Sequence, residues 1–380
     1  MKLVKTALLL VTVFLLGCGG GENIRVGVVL PLTGSLATFG ESARDGALLA
    51  FEEVNIAGGV QGRQLEVLFV DDRNDKGVAV AAARRLAERD EVIAIVGSVS
   101  TGVSEPLAAW CEEAGVPMIA PSSTNPFVTV TRDGVRRRFV FRSCFTDSFQ
   151  GAVAARFARE QMNAASAAVL YDHDDEYSTG LAQFFSAAFE DLGGAVVGTE
   201  TYDENTDDFG PALGRLKNLR PDILFLPDYY TRVGVIAREA WQSGLRSELL
   251  GGDGWDSPEM LDLAGDAVRG GYFTSHFAPD DPRPKVRDWV VRFRARYGRD
   301  PDALAALGYD AARLLAASLE AAARLDRDGV REALARTDGF VGVTGTISLD
   351  EYGNPVKPAV VRQFDADGPR YVATVGDESQ

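Results

Sequence analysis

The sequence predicts an α/β protein of two lobes, each built on a mostly parallel sheet covered by helices. Three observations lead there. Short runs rich in Val and Ile lack the polar alternation of half-exposed strands. Amphipathic helical patterns separate them, giving a βαβα order. A second set of the same kind then follows, with no Pro/Gly/Ser linker between the two, so the joints are read as hinges made of ordinary strands.

In order, "IRVGVVL", "LEVLFVDD", "VIAIVGS" and "VPMIAPS" are the first strands. In the helix after the first strand, Ala47, Phe51 and Val54 recur at helical spacing, and "AGG" at 57–59 stops it. After "FVFRSC" the pattern restarts, with strands "AAVLYD", "AVVGTETY", "DILFLPD" and "ELLGGD". Their helices carry Phe185, Ala188, Phe189 and Leu192, then Val233, Ile236, Ala237, Ala240 and Trp241 before Gly244. The tail holds three more helical patterns, around "PKVRDWVVRFRARYG", "PDALAALGYDAARLLAASLEAAARL" and "DGVREALART", expected to cover the first lobe. Short strands "TGTISLD" and "AVVRQFD" follow, expected to return to the second.

The first residues read as a targeting signal. Lys2 and Lys5 precede the apolar "ALLLVTVFLL", too short to span a bilayer comfortably, and "LLGC" resembles the bacterial lipobox. On that reading residues 1–17 are removed, Cys18 carries lipid, and 18–23 form a flexible tether. An ordinary cleaved signal or a short anchor are the alternatives. The protein is then expected in the periplasm or at the cell surface as a membrane-anchored lipoprotein.

The formal net charge of −16 becomes −18 once Lys2 and Lys5 are removed, since −16 − 2 = −18. That argues against nucleic acid and anionic lipid surfaces as partners, because both need a basic face. Apart from Cys18 only Cys111 and Cys144 remain, which either pair or stay as lone buried thiols. With no CxxC and two histidines, no metal site is expected.

In open parallel sheets, ligands gather outside the carboxyl ends of the strands. The third strand delivers Ser98, Ser100 and Thr101 ahead of a helix expected to start near Gly102 or Val103; the fourth delivers "PSSTNP". Hydroxyls beside free N–H groups at a helix start suit a carboxylate, although Ser and Thr there also serve as plain N-caps. Two such loops on neighbouring strands favour a ligand. The second set delivers Tyr177, then Tyr229 and Tyr230, then Asp253 and Trp255. Aromatic faces and one acid opposite hydroxyls would hold a zwitterion with an apolar side chain.

Other features get blander readings. Tyr230 is placed on a helix face outside the pocket, and Asp172–Glu176 as an exposed acidic loop. Arg136–Arg138 form a solvated turn, and His173 and His276 have no assigned role. No histidine is expected in a site loop, and neither a P-loop nor GxGxxG occurs, so neither an enzyme nor a cofactor is expected.

Taken together, "LPLTGSLATFGESARDGALLAFEEVNIAGGVQGRQLEVLFVDD", "APSSTNP", "DSFQG", "YSTG" and "GYDAARLL" make the chain resemble the type I periplasmic binding proteins, specifically the leucine/isoleucine/valine-binding receptors of ABC importers. The resemblance covers essentially all of the mature chain. It implies two Rossmann-like lobes joined by three hinge crossovers, with 24–144 and 276–344 in lobe 1 and 145–275 and 345–380 in lobe 2. It implies an amino-acid ligand, branched-chain or otherwise apolar, a permease and ATPase complex as partner, and a monomer. It also assigns roles. Ligand carboxylate falls to Thr101 and Thr124, and ammonium to Thr124, the carbonyl near Ser122 and Asp253. Tyr177 and Tyr229 close over the ligand, and Phe39 lines the side-chain pocket where the family often has tryptophan.

Three departures stand out. Asp253 is one methylene shorter than the family's frequent glutamate. Asn74 and Ser100 stand where the family has a disulfide. Trp255 and Asp228 add bulk and charge near the pocket, which opens the aliphatic specificity to question. An amide or small carboxylate as ligand, and a sensor rather than a transport receptor, are the alternatives.

Overall fold

A computed structural model describes residues 22–376, so the signal segment, Cys18 and most of the tether lie outside the described residues. The first sheet grows as β1 (Ile24–Leu30), α1 (Ala37–Ile56), β2 (Leu65–Asp71), α2 (Lys76–Glu88), β3 (Ala94–Gly97), α3 (Thr101–Ala114), β4 (Met118–Ala120) and β5 (Val140–Arg142). Its strands are all parallel, in the order β2-β1-β3-β4-β5. β3 and β4 are wholly buried, which is why their sequences run apolar without alternation.

The second sheet repeats that order. α4 (Asp147–Glu160) is followed by β6 (Ser166–Asp172), α5 (Glu176–Asp191), β7 (Ala195–Tyr202), α6 (Gly210–Leu219), β8 (Ile223–Leu226), α7 (Tyr230–Ser243), β9 (Glu248–Gly251), α8 (Met260–Ala264) and β10 (Tyr272–Ser275). Read from its parallel edge the order is β7-β6-β8-β9-β10, matching the first lobe strand for strand. The chain then crosses back through α9 (Pro284–Tyr297), α10 (Ala303–Ala321) and α11 (Arg327–Leu334), of which α10 packs along α1. β11 (Phe340–Val341), β12 (Thr346–Leu349) and β13 (Pro355–Val356) form a small separate sheet. Finally β14 (Ala359–Phe364) and β15 (Pro369–Val375) extend the second sheet antiparallel. The chain thus passes three times between the sheets: after β5, after β10 and before β14.

Local chemistry starts the helices. Asp75, Thr146, Asp175, Asp302 and Asp326 each accept a backbone N–H of the first turn of α2, α4, α5, α10 and α11 respectively. α1 and α10 cross closely because both present glycine. A Cβ on Gly46 would stand 1.8 Å from the carbonyl oxygen of Ala305, and one on Gly308 would stand 2.2 Å from that of Ala43. Behind α10, Trp289 is fully buried, with Phe277 edge-on at 5.4 Å.

Several expectations need correction. α3 begins at Thr101, one or two residues before the expected start, because the extended Ser100 ends the preceding loop. Trp241 is 62% exposed, so the apolar stripe read on α7 was one residue too wide. β10 and β15 were not among the expected strands, and "TGTISLD" pairs within the small sheet rather than the second lobe. Arg137 is buried and donates to the carbonyls of Phe127, Val128 and Val130, so the triple-arginine turn is anchored from within. Asp172 is buried at the end of β6, and only part of the acidic loop faces solvent. Cys111 and Cys144 are free and buried; burial pushes the Cys144 thiol up to about 12.

Candidate ligand site between the two lobes

The loops after β3, β4 and β9 of the two sheets, with the starts of α3, α5 and α7, meet around one cavity. In "PSSTNP" the side chains divide between two tasks. Ser123 Oγ lies 2.5 Å from Ser104 Oγ and donates toward the carbonyls of Ser98 and Val99. Asn125 caps the following turn through Phe127 N–H. The buried Arg142 at the end of β5 holds the loop from beneath, donating to the carbonyls of Ser123 at 2.8 Å and Asn125 at 2.9 Å. With Ser123 and Asn125 fixing the backbone, Ser122 and Thr124 line the cavity. Ser122 Oγ also donates to Val99 O at 2.9 Å, so the loop is tied to the one preceding α3.

Thr101 completes the first-lobe half. The residue lines the same cavity and is 1% exposed, and its hydroxyl has no hydrogen-bond partner among the described residues. A buried hydroxyl without a partner costs about 1–3 kcal/mol, and such groups call for an explanation.

The second-lobe half is organised around Asp253, which follows β9 in a short 3-10 turn. Its carboxylate is cradled by three donors. Gln150 Nε2 and the Tyr177 hydroxyl each stand 2.9 Å from Oδ1, and His276 Nε2 stands 3.0 Å from Oδ2. Gly252 allows this approach, since a Cβ there would lie 2.5 Å from the Tyr177 hydroxyl. The Tyr177 hydroxyl also accepts Gly254 N–H at 3.1 Å. Tyr229 packs its ring on Tyr177 at 5.0 Å and meets Phe39 of the first lobe edge-on at 6.3 Å. Burial pushes both tyrosine hydroxyls well above their usual range, so they stay protonated donors.

All seven expected site residues, Phe39, Thr101, Ser122, Thr124, Tyr177, Tyr229 and Asp253, therefore surround one cavity. Val99, Ala303, Leu304 and Leu307 supply an apolar wall. The cavity volume is about 20 Å³, room for roughly one water molecule. The lobes also touch directly around it. Asn125 Nδ2 donates to Glu176 O at 2.9 Å, Thr38 Oγ1 to Glu259 Oε1 at 2.7 Å and Tyr230 O–H to Ser35 O at 3.3 Å.

Two expected neighbours stand elsewhere. Trp255 is fully buried beneath β8, its Nε1 donating to Leu226 O, and it fills the core rather than the cavity. Asp228 is buried against the Tyr202 hydroxyl and Tyr229 N–H; burial pushes its carboxyl up to about 7. Ser100 Oγ donates to Asn74 Oδ1 at 2.6 Å, a hydrogen bond at the place where the resembled family carries its disulfide.

Two residues of the site were missed. His276 lines the cavity and is no incidental histidine. It follows β10, so the strand-end argument would have found it had that strand been read. Gln150 was visible within "DSFQG", but its reach to Asp253 spans 103 residues of sequence.

Residues 23–369 match the family model described as periplasmic binding protein. The leucine-, isoleucine-, valine-, threonine- and alanine-binding protein of Pseudomonas aeruginosa is 33% identical over 334 residues, 88% of this chain and 87% of that one. The crystal structure of the leucine binding protein LivK from Thermotoga maritima superposes with a TM-score of 0.88 at 35% identity, covering 94% of this chain and 100% of that one. The branched-chain amino acid transporter substrate binding protein LivJ from Streptococcus pneumoniae, in complex with isoleucine, gives 0.85 at 30% identity, covering 92% and 99%.

Proposed function

The chain belongs to the periplasmic binding protein family, whose members of this kind are substrate-binding components of ABC transporters rather than enzymes, and from that premise we propose that it captures a small apolar α-amino acid, branched-chain in the first instance. The ligand carboxylate meets the Thr101 hydroxyl, the first N–H groups of α3 and Thr124. Its ammonium meets Asp253, Thr124 and the carbonyl of Ser122, and its side chain lies against Phe39, Leu304 and Leu307. The observation that carries this reading is the pairing of an unpartnered buried hydroxyl on one lobe with a carboxylate on the other, around a largely apolar cavity. Because the ligand touches both lobes, it favours their closure, and in the dried cleft each charge-assisted bond strengthens. The closed form then delivers the amino acid to an ABC permease, with the protein held outside the cytoplasm by lipid on Cys18.

The test is calorimetric titration of the mature protein, unfolded and refolded to strip carried ligand, against the amino acids and small carboxylates. Tight binding of branched-chain amino acids is expected; binding confined to ligands without an amino group would sink the reading. Thr124→Val removes a hydroxyl shared by both charged ends of the ligand. It is expected to weaken binding by about 1.5–3 kcal/mol, or roughly 10- to 150-fold, and unchanged calorimetry would remove Thr124 from the site. Cys18→Ser is expected to move the protein from the membrane to the soluble fraction of cells, since the acyl chains supply the attachment. Retention of that variant in washed membranes would overturn the anchor.

A further inference from the structure

We propose that His276 sets the pH dependence of ligand capture: the neutral ring steadies Asp253 for an ammonium group, and the protonated ring competes with that ammonium for the same carboxylate. This deepens the amino-acid reading above and rests on it. Three features of the geometry carry it. His276 lines the cavity, its only side-chain hydrogen bond among the described residues is from the ring edge to Asp253 Oδ2, and its ring face is stacked on Phe145 with centroids 3.6 Å apart. The ring is therefore fixed in place, and its charge state reports directly to the acid of the site.

In the neutral ring that donates Nε2–H to Asp253, Nδ1 is an acceptor, buried and without a partner among the described residues. Protonation would place a second N–H there with nothing to receive it. Burial accordingly pushes the imidazole below its ordinary 6.5, against the pull of Asp253. Other charged groups act on the ring from neighbouring elements. Asp256 is already paired with Arg362, and Lys357 donates to Ser143 O and Thr344 Oγ1. Burial pushes Lys357 down to about 8, so it stays charged throughout the acid range in which the imidazole titrates. Asp147, buried at the start of α4 and pushed well up, acts on Asp253. Tyr177 and Gln150 bond the other oxygen of Asp253 and do not change charge in that range.

As the pH falls through that lowered midpoint the imidazolium forms, its positive charge offsets the acid beside the ammonium position, and one proton must leave for the ligand to bind. Affinity then drops by up to about tenfold per pH unit, the limit for a single linked proton. A zwitterionic amino acid keeps its own charges through the same range, so the slope belongs to the protein.

The experiment uses the fact that the chain has two histidines. The ring signals of His173 and His276 are followed by NMR from pH 4.5 to 8, with and without L-leucine, and the Kd for L-leucine is measured across the same range in wild type and His276→Gln. Glutamine keeps an N–H donor for Asp253 and cannot titrate. Expected are a His276 midpoint below 6.5 that L-leucine lowers further, a Kd that rises on acidification in wild type, and a flat Kd in His276→Gln. A midpoint that L-leucine leaves unmoved while binding, or a slope that persists in His276→Gln, would overturn the proposal and pass the titration to Asp147. If L-leucine binds at no pH, the reading of the ligand fails on its own terms. The coupling is then judged by Asp253→Asn: a lowered His276 midpoint upholds it and an unmoved one overturns it.

Discussion

Asp253→Ala is expected to weaken amino-acid binding by about 2–5 kcal/mol, roughly 30- to 4,000-fold in Kd, because it removes the charge proposed to face the ligand ammonium. The loss has two sources. One is the missing ion pair itself, made in a cleft that closure dries. The other is the set of donors left behind, since Gln150, Tyr177 and His276 all converge on that carboxylate. Asp253→Asn separates them by restoring an acceptor without the charge. Calorimetry against the preferred amino acid is the measurement, with urea unfolding as the check that the fold survives. An affinity within threefold of wild type in a folded Asp253→Ala protein would end the zwitterion clamp (threefold is about 0.65 kcal/mol, well below the expected range).

Asp256→Ala is expected to cost about 3–5 kcal/mol of stability, the largest structural effect among the changes considered. Asp256 and Arg362 meet at 2.7 Å with side chains 3% and 4% exposed. Ser275 Oγ adds a bond to the other carboxylate oxygen at 2.7 Å. Arg362 lies on β14, so this pair ties the turn carrying Asp253 to the strand that follows the last crossover. Removing the acid strands a buried guanidinium; removing both charges does not. The urea midpoint should therefore fall steeply in Asp256→Ala and recover in the double change Asp256→Ala, Arg362→Met. A single variant that unfolds at the wild-type midpoint would show the pair to be dispensable.

How much of this was legible follows from the range of each interaction. β3, β4 and β8 announced themselves, because a strand buried on both faces is apolar along its whole length, and β1 departs from that only at the exposed Arg25. β10, "YFTS", did not, having four residues of which three carry hydroxyls, and with it went His276. Thr101, Ser122, Thr124, Tyr177, Tyr229 and Asp253 could be placed at the cavity because each sits just past a strand or at a helix start, where local sequence and topology agree, whereas Phe39 came only from the family resemblance. The three-donor cradle was not legible. Gln150, Tyr177, Asp253 and His276 come from four separate stretches, and only the register of the second sheet brings them together. Trp255 misled for the complementary reason: its neighbour Asp253 faces the cavity while its own indole turns back under β8.

The hydrogen bonds that join the lobes outside the cavity run between protein groups alone. Those of Asn125 with Glu176, Thr38 with Glu259 and Tyr230 with Ser35 make no use of a ligand. At about 0.5–1.5 kcal/mol each, they hold part of the closed outline together by themselves. Every 1.4 kcal/mol so supplied raises the basal closed-to-open ratio about tenfold. It also spares the ligand an equal share of the work and so sharpens apparent affinity while the closed form is still the minor one. A permease that recognises cargo by the outline of its carrier faces the reverse of that gain. On the proposed delivery to a permease, the same bonds that sharpen capture would also present closed carriers without cargo, so sensitivity and fidelity are set against each other in the seam between the lobes.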